Sequence, residues 1–230
     1  MKTIQKLSSE ERRAAIVHAV RRVFAEKGFD GTTTRALAEA AGVSEALLYR
    51  HFPNKEALYL AMQLSCCTEQ DLGRYERIGA LEPSASTLVL LVHFLVSRIV
   101  DDSDLRDGEM TIQNRLMLRS HAEDGEFARL LLRRLATDWI PKVEECLRAA
   151  IASGEAVDAG VPAKLGAWFT HHLAAHIMFC ALPPHPVVAY GISHGKLIEH
   201  AVGFALRGMG LKDQAIRRYY NPKALALFAK

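Results

Sequence analysis

Residues 33–56 read TTRALAEAAGVSEALLYRHFPNKE, and this stretch decides how the N-terminal part of the chain folds. Its apolar residues recur at helical spacing on both sides of Gly42, which supplies the left-handed backbone that a tight turn between two helices needs. Thr33 or Thr34 can cap the first helix, and Ser44 caps the second. The stretch therefore predicts two short helices joined by a tight turn, which is the outline of a helix-turn-helix.

Signals on either side of the motif predict two further helices. The second helix of the motif stops before Pro53, and Asn54 caps the helix that follows. Upstream, Ser8 and Glu11 have the spacing of a capping box, and Gly28 marks a C-terminal stop. Three helices therefore precede Pro53. A unit of this size has a small core, so we expect it to pack on the fourth helix.

The sharpest part of the motif is LYRHFPNKE at residues 48–56. It resembles the signature L-Y-x-H-F-x-N-K-E in the DNA-binding domain of the TetR family of bacterial transcriptional regulators, and the resemblance covers residues 8–62. In that family the tyrosine, histidine and lysine of the signature usually hold DNA phosphates. The resemblance therefore implies a phosphate-binding role for Tyr49, His51 and Lys55.

The resemblance and the placement of the two helices indicate which residues meet DNA. We expect Thr34, Arg35 and residues 44–46 to approach base edges, whereas the residues matched to the signature hold phosphates. Ala46 stands where the family often has glycine, and its methyl group leaves the operator sequence open. Glu45 either accepts a hydrogen bond from cytosine or only favours the helix N-terminus electrostatically. The predicted DNA contacts are Thr34, Arg35, Ser44, Glu45, Ala46, Tyr49, His51 and Lys55.

The charge of the chain is concentrated where DNA should bind. The 230 residues carry a formal net charge of +3. Residues 1–62 hold ten basic and seven acidic side chains, so they account for the whole excess, and the remaining charges cancel. The asymmetry fits a few phosphate contacts per half-site, although a solvated basic surface would look the same.

Several classes of protein are excluded by the sequence. No apolar run approaches the roughly 18 residues that a membrane span requires. The N-terminus leads into an amphipathic helix and lacks a signal peptide, so we expect a cytoplasmic protein. The four cysteines lack C-x-x-C spacing, and reduced thiols are expected. Motifs of hydrolytic and redox enzymes are absent, so the chain is expected not to be an enzyme and to need no cofactor.

The remainder of the chain predicts an all-α fold, because no long stretch alternates with a period of two. We expect about nine helices in total, with a short tenth from Pro222 onward. The predicted domains are a helix-turn-helix domain over 8–62, a larger ligand-binding and dimerisation domain over 63–211, and a C-terminal tail over 212–230. Pro141 should kink one long segment. The helices after the motif are predicted near 54–78, 85–102, 108–121, 125–153, 162–182 and 191–209.

Two of these helices, 162–182 and 191–209, are apolar around more than one face. Such a helix must be buried on two sides, which predicts either a dimer interface or burial within the monomer. The family resemblance favours the dimer, in which four helices form a bundle. The apolar residues are Leu165, Trp168, Phe169, Leu173, His176, Ile177 and Phe179 on the first helix, and Ile198, Ala201, Val202, Ala205 and Leu206 on the second.

The resemblance also implies a cavity among helices four to eight that admits a small-molecule effector. Apolar surroundings with a few polar anchors predict a lipophilic or aromatic effector. A methionine or aromatic residue at helical spacing belongs more often to the core than to a pocket. The candidate ligand-binding residues are Phe94, Gln113, Asn114, Met117, His121, Trp139, Trp168 and His172.

These features together predict a homodimeric transcriptional repressor that binds an inverted-repeat operator and is released by an effector. One alternative is a metal-responsive regulator, since His172 and His176 stand four residues apart, but no further ligand completes a set. Another is a redox-responsive regulator that uses the adjacent Cys66 and Cys67. A third is a TetR-like module that binds protein instead of DNA.

Overall fold

The structure is a computed structural model that describes residues 8–65, 77–100, 109–123 and 125–228. Within these ranges the only pairing of strand type is a single antiparallel bridge between Ala156 and Leu211. The all-α prediction is therefore confirmed. The described α-helices are α1 (Ser9–Lys27), α2 (Thr34–Ala41), α3 (Glu45–His51), α4 (Lys55–Ser65), α5 (Ala85–Val100), α6 (Glu109–Ala122), α7 (Glu126–Arg134), α8 (Ile140–Ala152), α9 (Ala163–Ala181), α10 (His194–Gly208), α11 (Asp213–Tyr219) and α12 (Pro222–Phe228).

The chain divides into two compact units. The first unit lies within residues 1–68 and 108–130, and the second lies within 69–107 and 131–230. The first unit thus holds α6 as well as α1 to α4. The predicted boundaries after residues 62 and 211 stay a prediction. None of the described helices combines the length and the apolar character that a bilayer-spanning segment needs.

The predicted caps of the first unit are present. Ser8 accepts a hydrogen bond from the amide of Glu11 and completes the capping box. Thr33, and not Thr34, caps α2, while Ser44 caps α3 by accepting from the amide of Leu47. Gly42 lies between the two helices at φ 62°, a left-handed conformation that costs glycine little. Local sequence signals therefore fix the entry and exit of both helices.

The core of the first unit forms between α1 and the helices of the motif. Val20 and Phe24 of α1 are fully buried, as is Leu37 of α2. Leu48 of α3 points inward, and Phe52 closes the end of that helix. Burial of such side chains stabilises a fold by about 1.5–3 kcal/mol each, so the inward face of α3 is fixed and its opposite face is left for solvent.

The second unit is built around α5, which is buried from Thr87 to Val96. Helices α8, α9, α10, α11 and α12 all pack against it. Tyr220, between the last two helices, contacts the buried His93 of α5, with its hydroxyl oxygen 3.4 Å from Nδ1. The predicted tail therefore forms two short helices within its described part, which ends at residue 228, and Tyr220 connects it to the core.

The predicted helix over 125–153 is interrupted. A π-helical turn over Leu135–Trp139 separates α7 from α8. Pro141 follows this turn and has no amide hydrogen to donate to the carbonyl of Thr137, so the α-helical ladder cannot continue through it. The expected kink is therefore a five-residue π turn before the proline. Because of this break and the two C-terminal helices, the described ranges contain more than the nine helices predicted.

Five of the apolar residues that the sequence analysis names on these two helices are buried in the second unit's own core. They are Ile177 of α9 and Ala201, Val202, Ala205 and Leu206 of α10. Val202 has no exposed surface. Phe204 is the large apolar side chain of this helix that faces solvent, with 70% of its surface exposed. For these five residues the alternative of burial within the monomer holds and the favoured dimer surface is wrong, because helical spacing does not say which apolar face meets the core.

Candidate nucleic-acid interface

The outward face of α3 presents the side chains that the sequence predicts as DNA contacts. Glu45 and Ala46 in the first turn are exposed, as is the capping residue Ser44. Tyr49, one turn later, is 46% exposed, and its hydroxyl lies 3.0 Å from the hydroxyl of Thr34. This hydrogen bond links α3 to the start of α2, so the two helices present their polar groups as one surface.

Arg35 is the exposed cation of α2. Its Nε lies 3.1 Å from the Glu39 carboxylate, and both side chains are largely in solvent. Exposed pairs of this kind contribute roughly 0–1 kcal/mol, so Arg35 can leave Glu39 for a phosphate or a base at little cost. Glu45 occupies the first turn of α3, where a negative charge is favourable. Both roles predicted for Glu45 remain open.

Lys55 lies behind this face. Its Nζ donates to the carbonyls of Phe29 (2.8 Å) and Thr32 (3.1 Å) in the turn between α1 and α2. The ammonium group also stands 4.2 Å from the centre of the Phe29 ring, a cation–π contact. Two of the three donors of Lys55 are thus committed to protein, which distinguishes it from Tyr49.

Two arginines near the face were missed from the predicted set. Arg13 of α1 donates to the carbonyl of His51 at 2.6 Å, and its guanidinium lies 4.1 Å above the Phe52 ring. It therefore holds the C-terminal end of α3. Arg50 is exposed in the last turn of α3, beside Tyr49. Its place inside the signature could have identified Arg50, whereas the role of Arg13 depends on a contact 38 residues away.

The eight candidate ligand-binding residues fall into both units. In the first unit, Gln113, Asn114 and Met117 are half-buried on α6, while His121 is exposed and its Nδ1 lies 2.8 Å from the Met117 carbonyl. The four in the second unit are Phe94, Trp139, Trp168 and His172. Phe94 and Trp139 are buried, whereas Trp168 is half-buried and stacks against the exposed ring of His172 at 5.8 Å between centroids.

Two of these candidates, Asn114 of the first unit and Trp139 of the second, have a buried donor without a hydrogen-bond partner among the described residues. Trp139 ends the π turn and is 2% exposed, and its unpartnered donor is the indole Nε1. A buried donor without a partner costs about 1–3 kcal/mol. Single π-helical turns inside α-helices often occur at functional sites. The apolar core of the second unit thus contains one donor that a bound molecule could satisfy.

The histidines and cysteines named for the metal and redox alternatives do not form a metal site within the described residues. His172 and His176 are both exposed on α9. Within the described ranges, no three histidine, cysteine or acidic side chains cluster closely enough to hold a metal ion. Cys66 and Cys67 lie outside the described residues. Cys146 is buried, and burial raises the pKa of its thiol, which disfavours the reactive thiolate.

A separate apolar surface lies on α9 and α10, which pack against each other. Leu165 and Phe169 stand one turn apart on α9 and are 42% and 53% exposed. Phe204 adds the exposed ring of α10. We call these three residues the α9/α10 patch. Exposed large apolar side chains on two packed helices are candidates for an interaction site.

Comparisons with known proteins show what the helix-turn-helix region of the first unit is similar to. Residues 16–62 match the sequence profile of bacterial regulatory proteins of the tetR family. The HTH-type transcriptional repressor AcnR of Corynebacterium efficiens is 46% identical over 50 residues, which are 22% of this chain and 27% of AcnR. The match thus spans about a quarter of the curated relative.

Solved structures share the fold over most of the chain. A TetR-family transcriptional regulator from Rhodococcus sp. superposes with a TM-score of 0.61 at 23% identity, over 87% of this chain and all of that one. AibR, in a complex with isovaleryl coenzyme A and operator DNA, gives 0.60 at 20% identity over 84% of this chain and 97% of AibR. The likeness extends the shared fold beyond the helix-turn-helix.

Proposed function

We propose that the chain is a member of the tetR family of bacterial regulatory proteins, whose sequence profile residues 16–62 match, and that it is a cytoplasmic homodimeric repressor of transcription. It binds an inverted-repeat DNA operator through α2 and α3, and a small lipophilic effector releases it. The observation that carries the proposal is the exposed face of α3, where Tyr49 and its neighbours stand outward on a helix whose other side is fixed in the core.

The division of labour on this face follows from exposure and hydrogen bonding. Thr34, Arg35 and residues 44–46 approach base edges, while Tyr49, His51 and the exposed Arg50 hold phosphates. Lys55 supports the turn behind them through its two carbonyl partners. Phosphate contacts fix the register of the protein on DNA, and contacts to base edges supply the sequence preference.

Dimerisation is proposed to use the α9/α10 patch. A two-fold axis through this patch would bring the same residues of two copies together, as an isologous interface requires. Two copies of α3 related by such an axis can enter successive major grooves about 34–36 Å apart. The operator is therefore an inverted repeat.

The effector is proposed to bind in the second unit at Trp139. The partnerless indole donor among apolar neighbours favours a lipophilic molecule that carries one hydrogen-bond acceptor. AibR was solved with both isovaleryl coenzyme A and operator DNA, which supports an effector in this fold without identifying the one used here.

The DNA-binding proposal is tested by selecting bound duplexes from sheared genomic DNA and from the intergenic DNA beside the gene. We expect enrichment of a site with two inverted half-sites. Enrichment of a single half-site would contradict the paired geometry. Failure to enrich any DNA at low salt would favour the protein-binding alternative.

The effector proposal is tested by fluorescence. The chain has two tryptophans, so Trp168→Phe leaves Trp139 as the single reporter. Molecules found by thermal shift should change the emission of this variant, and operator DNA should weaken their binding by the factor by which they weaken operator binding, about 5- to 150-fold. Stabilisation by divalent metals alone would replace this effector with the metal alternative.

A further inference from the structure

Arg119, on α6, binds the C-terminal end of α1. Its Nη2 donates to the carbonyl of Glu26 at 2.6 Å, and its Nε donates to the carbonyl of Ala25 at 3.2 Å. The last four carbonyls of a helix have no partner within that helix. Arg119 therefore satisfies two of them with a planar group that offers donors in a fixed geometry.

The contact is closely fitted. Arg119 is held in place by an ion pair of 3.2 Å with Glu123 on its own helix. Its guanidinium lies over Gly28, which ends α1 at φ 72°. A β-carbon on Gly28 would lie 2.5 Å from Nη1 of Arg119 and 2.9 Å from Oε1 of Glu123, so only glycine allows this approach.

The segment that Arg119 holds leads directly to the DNA-binding face. Thr32 donates its hydroxyl hydrogen to the Gly28 carbonyl at 2.5 Å, and Thr33 caps α2. Lys55 holds the carbonyls of Phe29 and Thr32 from the other side. A cation from α6 thus binds carbonyls at the end of α1, and a cation from α4 binds carbonyls in the turn that follows, immediately before the first helix of the motif.

The same helix carries candidate ligand-binding residues on another face. At about 100° per residue, Gln113, Asn114 and Met117 lie on a different side of α6 from Arg119. These three are half-buried. A displacement of α6 as a rigid helix would therefore move the guanidinium that holds α1, which connects the position of α6 to the turn before α2.

We propose that Arg119 is a positioning residue for DNA binding. It fixes the last turn of α1 and the turn over residues 28–33, and it thereby sets the conformation in which α2 and α3 meet DNA. It acts through the protein backbone and holds no phosphate. The inference rests on the proposed DNA-binding function and adds a link between α6 and the DNA-binding face.

The first test is hydrogen exchange on the full-length protein. Arg119→Met removes the donors, and Arg115→Met is the matched control, because Arg115 is an exposed arginine one turn earlier on the same helix. Loss of hydrogen bonds from a charged group should speed exchange of amides 28–38 by about 10-fold or more in Arg119→Met. Exchange in Arg115→Met should match the wild type. Unchanged exchange in Arg119→Met would overturn the inference.

The second test measures DNA affinity across a salt series. Arg119→Met should bind operator several-fold more weakly at every salt concentration, with the same dependence on salt as the wild type. A slope reduced by about one would show that Arg119 holds a phosphate, and unchanged affinity would show that its contacts are irrelevant to DNA; either overturns the inference. If the wild type bound no DNA, the proposed function itself would fall.

A conservative variant keeps the proposal testable if Arg119→Met does not fold. Arg119→Lys keeps a cation of similar reach, but it lacks the planar fork that serves two carbonyls. Its exchange and affinity should lie between those of the wild type and Arg119→Met. If Arg119→Met does not fold, Arg119→Lys against Arg115→Lys supplies the same comparison. Identical behaviour of these two lysine variants would contradict the positioning role.

Discussion

The contacts inside the first unit differ in chemistry from those inside the second unit. In the first unit, Arg13, Lys55 and Arg119 each reach from one helix to backbone carbonyls of another segment. In the second unit, α5 is buried among apolar side chains. The first arrangement fixes the angles between short helices, and the second excludes water from a larger core. A substitution should therefore have local consequences in the first unit and global ones in the second.

The largest effect is expected from a charge in the core of the second unit. Val202→Arg places an unpaired cation at a fully buried position of α10 and should cost more than about 4 kcal/mol, enough to prevent this unit from folding. Phe204→Arg, two residues later, should leave the unfolding temperature nearly unchanged and convert the dimer to monomer. Calorimetry and sedimentation measure the two effects.

Comparing Val202→Arg with Phe204→Arg distinguishes a core position of α10 from an interface position. If Phe204→Arg remained dimeric at the wild-type affinity, α10 would not take part in self-association. A stably monomeric wild type at micromolar concentration would reject the dimer altogether.

The next effect distinguishes two cations of the first unit. Lys55→Met should reduce the free energy of unfolding by about 1.5–3 kcal/mol, because it removes charged hydrogen bonds to two carbonyls. It should weaken binding to operator and unrelated DNA alike without changing the salt dependence. Arg50→Met should leave stability unchanged and reduce the salt slope by about one. The opposite assignment of the two slopes would place Lys55, and not Arg50, on a phosphate.

A smaller effect is expected at the cap of α3. Ser44→Ala removes the acceptor for the amide of Leu47 and should cost about 1 kcal/mol in chemical denaturation. Ser44→Asp keeps an acceptor at this position and should retain stability, although its added negative charge should weaken DNA binding. Equal stability of Ser44→Ala and the wild type would show that tertiary contacts, and not the cap, fix α3.

The smallest expected effect is on the pH dependence of stability, and it concerns His93 in the second unit. Burial lowers the pKa of His93 below its ordinary value of 6.5. The unfolded chain therefore binds this proton more readily, so stability is complete above about pH 6.5 and declines as pH falls below it. His93→Asn should show a shallower decline of unfolding temperature between pH 7.5 and 5.5. Parallel curves for the two proteins would show that His93 does not contribute.

The difference between the units also explains how much of the fold and of the candidate site could be predicted from the sequence. The caps at Ser8, Ser44 and Asn54 depend on groups three residues apart, and all three are present in the structure. Their sequence signals are local, so the helix-turn-helix and its exposed face could be placed from the sequence. The roles of Arg13 and Arg119 could not, because their partners lie 38 and more than 90 residues away.

Burial in the second unit was harder to predict because its helices are apolar on several sides. Ala201 and Phe204 both read as apolar residues of one helix, yet the first is buried in the monomer and the second faces solvent. Only the packing of α10 against α5 separates them. Trp139 illustrates the same limit: Pro141 predicts a break in the helix, but no local pattern indicates that the indole donor of Trp139 is buried without a partner.

The central claim is that the exposed face of α3 binds DNA through phosphates as well as bases. Its most direct test is fluorescence anisotropy of the wild-type protein with the selected operator, measured from low to high salt beside Tyr49→Phe. We predict that log affinity falls linearly with log salt at a slope of several units, as counterion release requires, and that Tyr49→Phe binds operator and unrelated DNA more weakly by similar factors. An affinity that is insensitive to salt would contradict the claim.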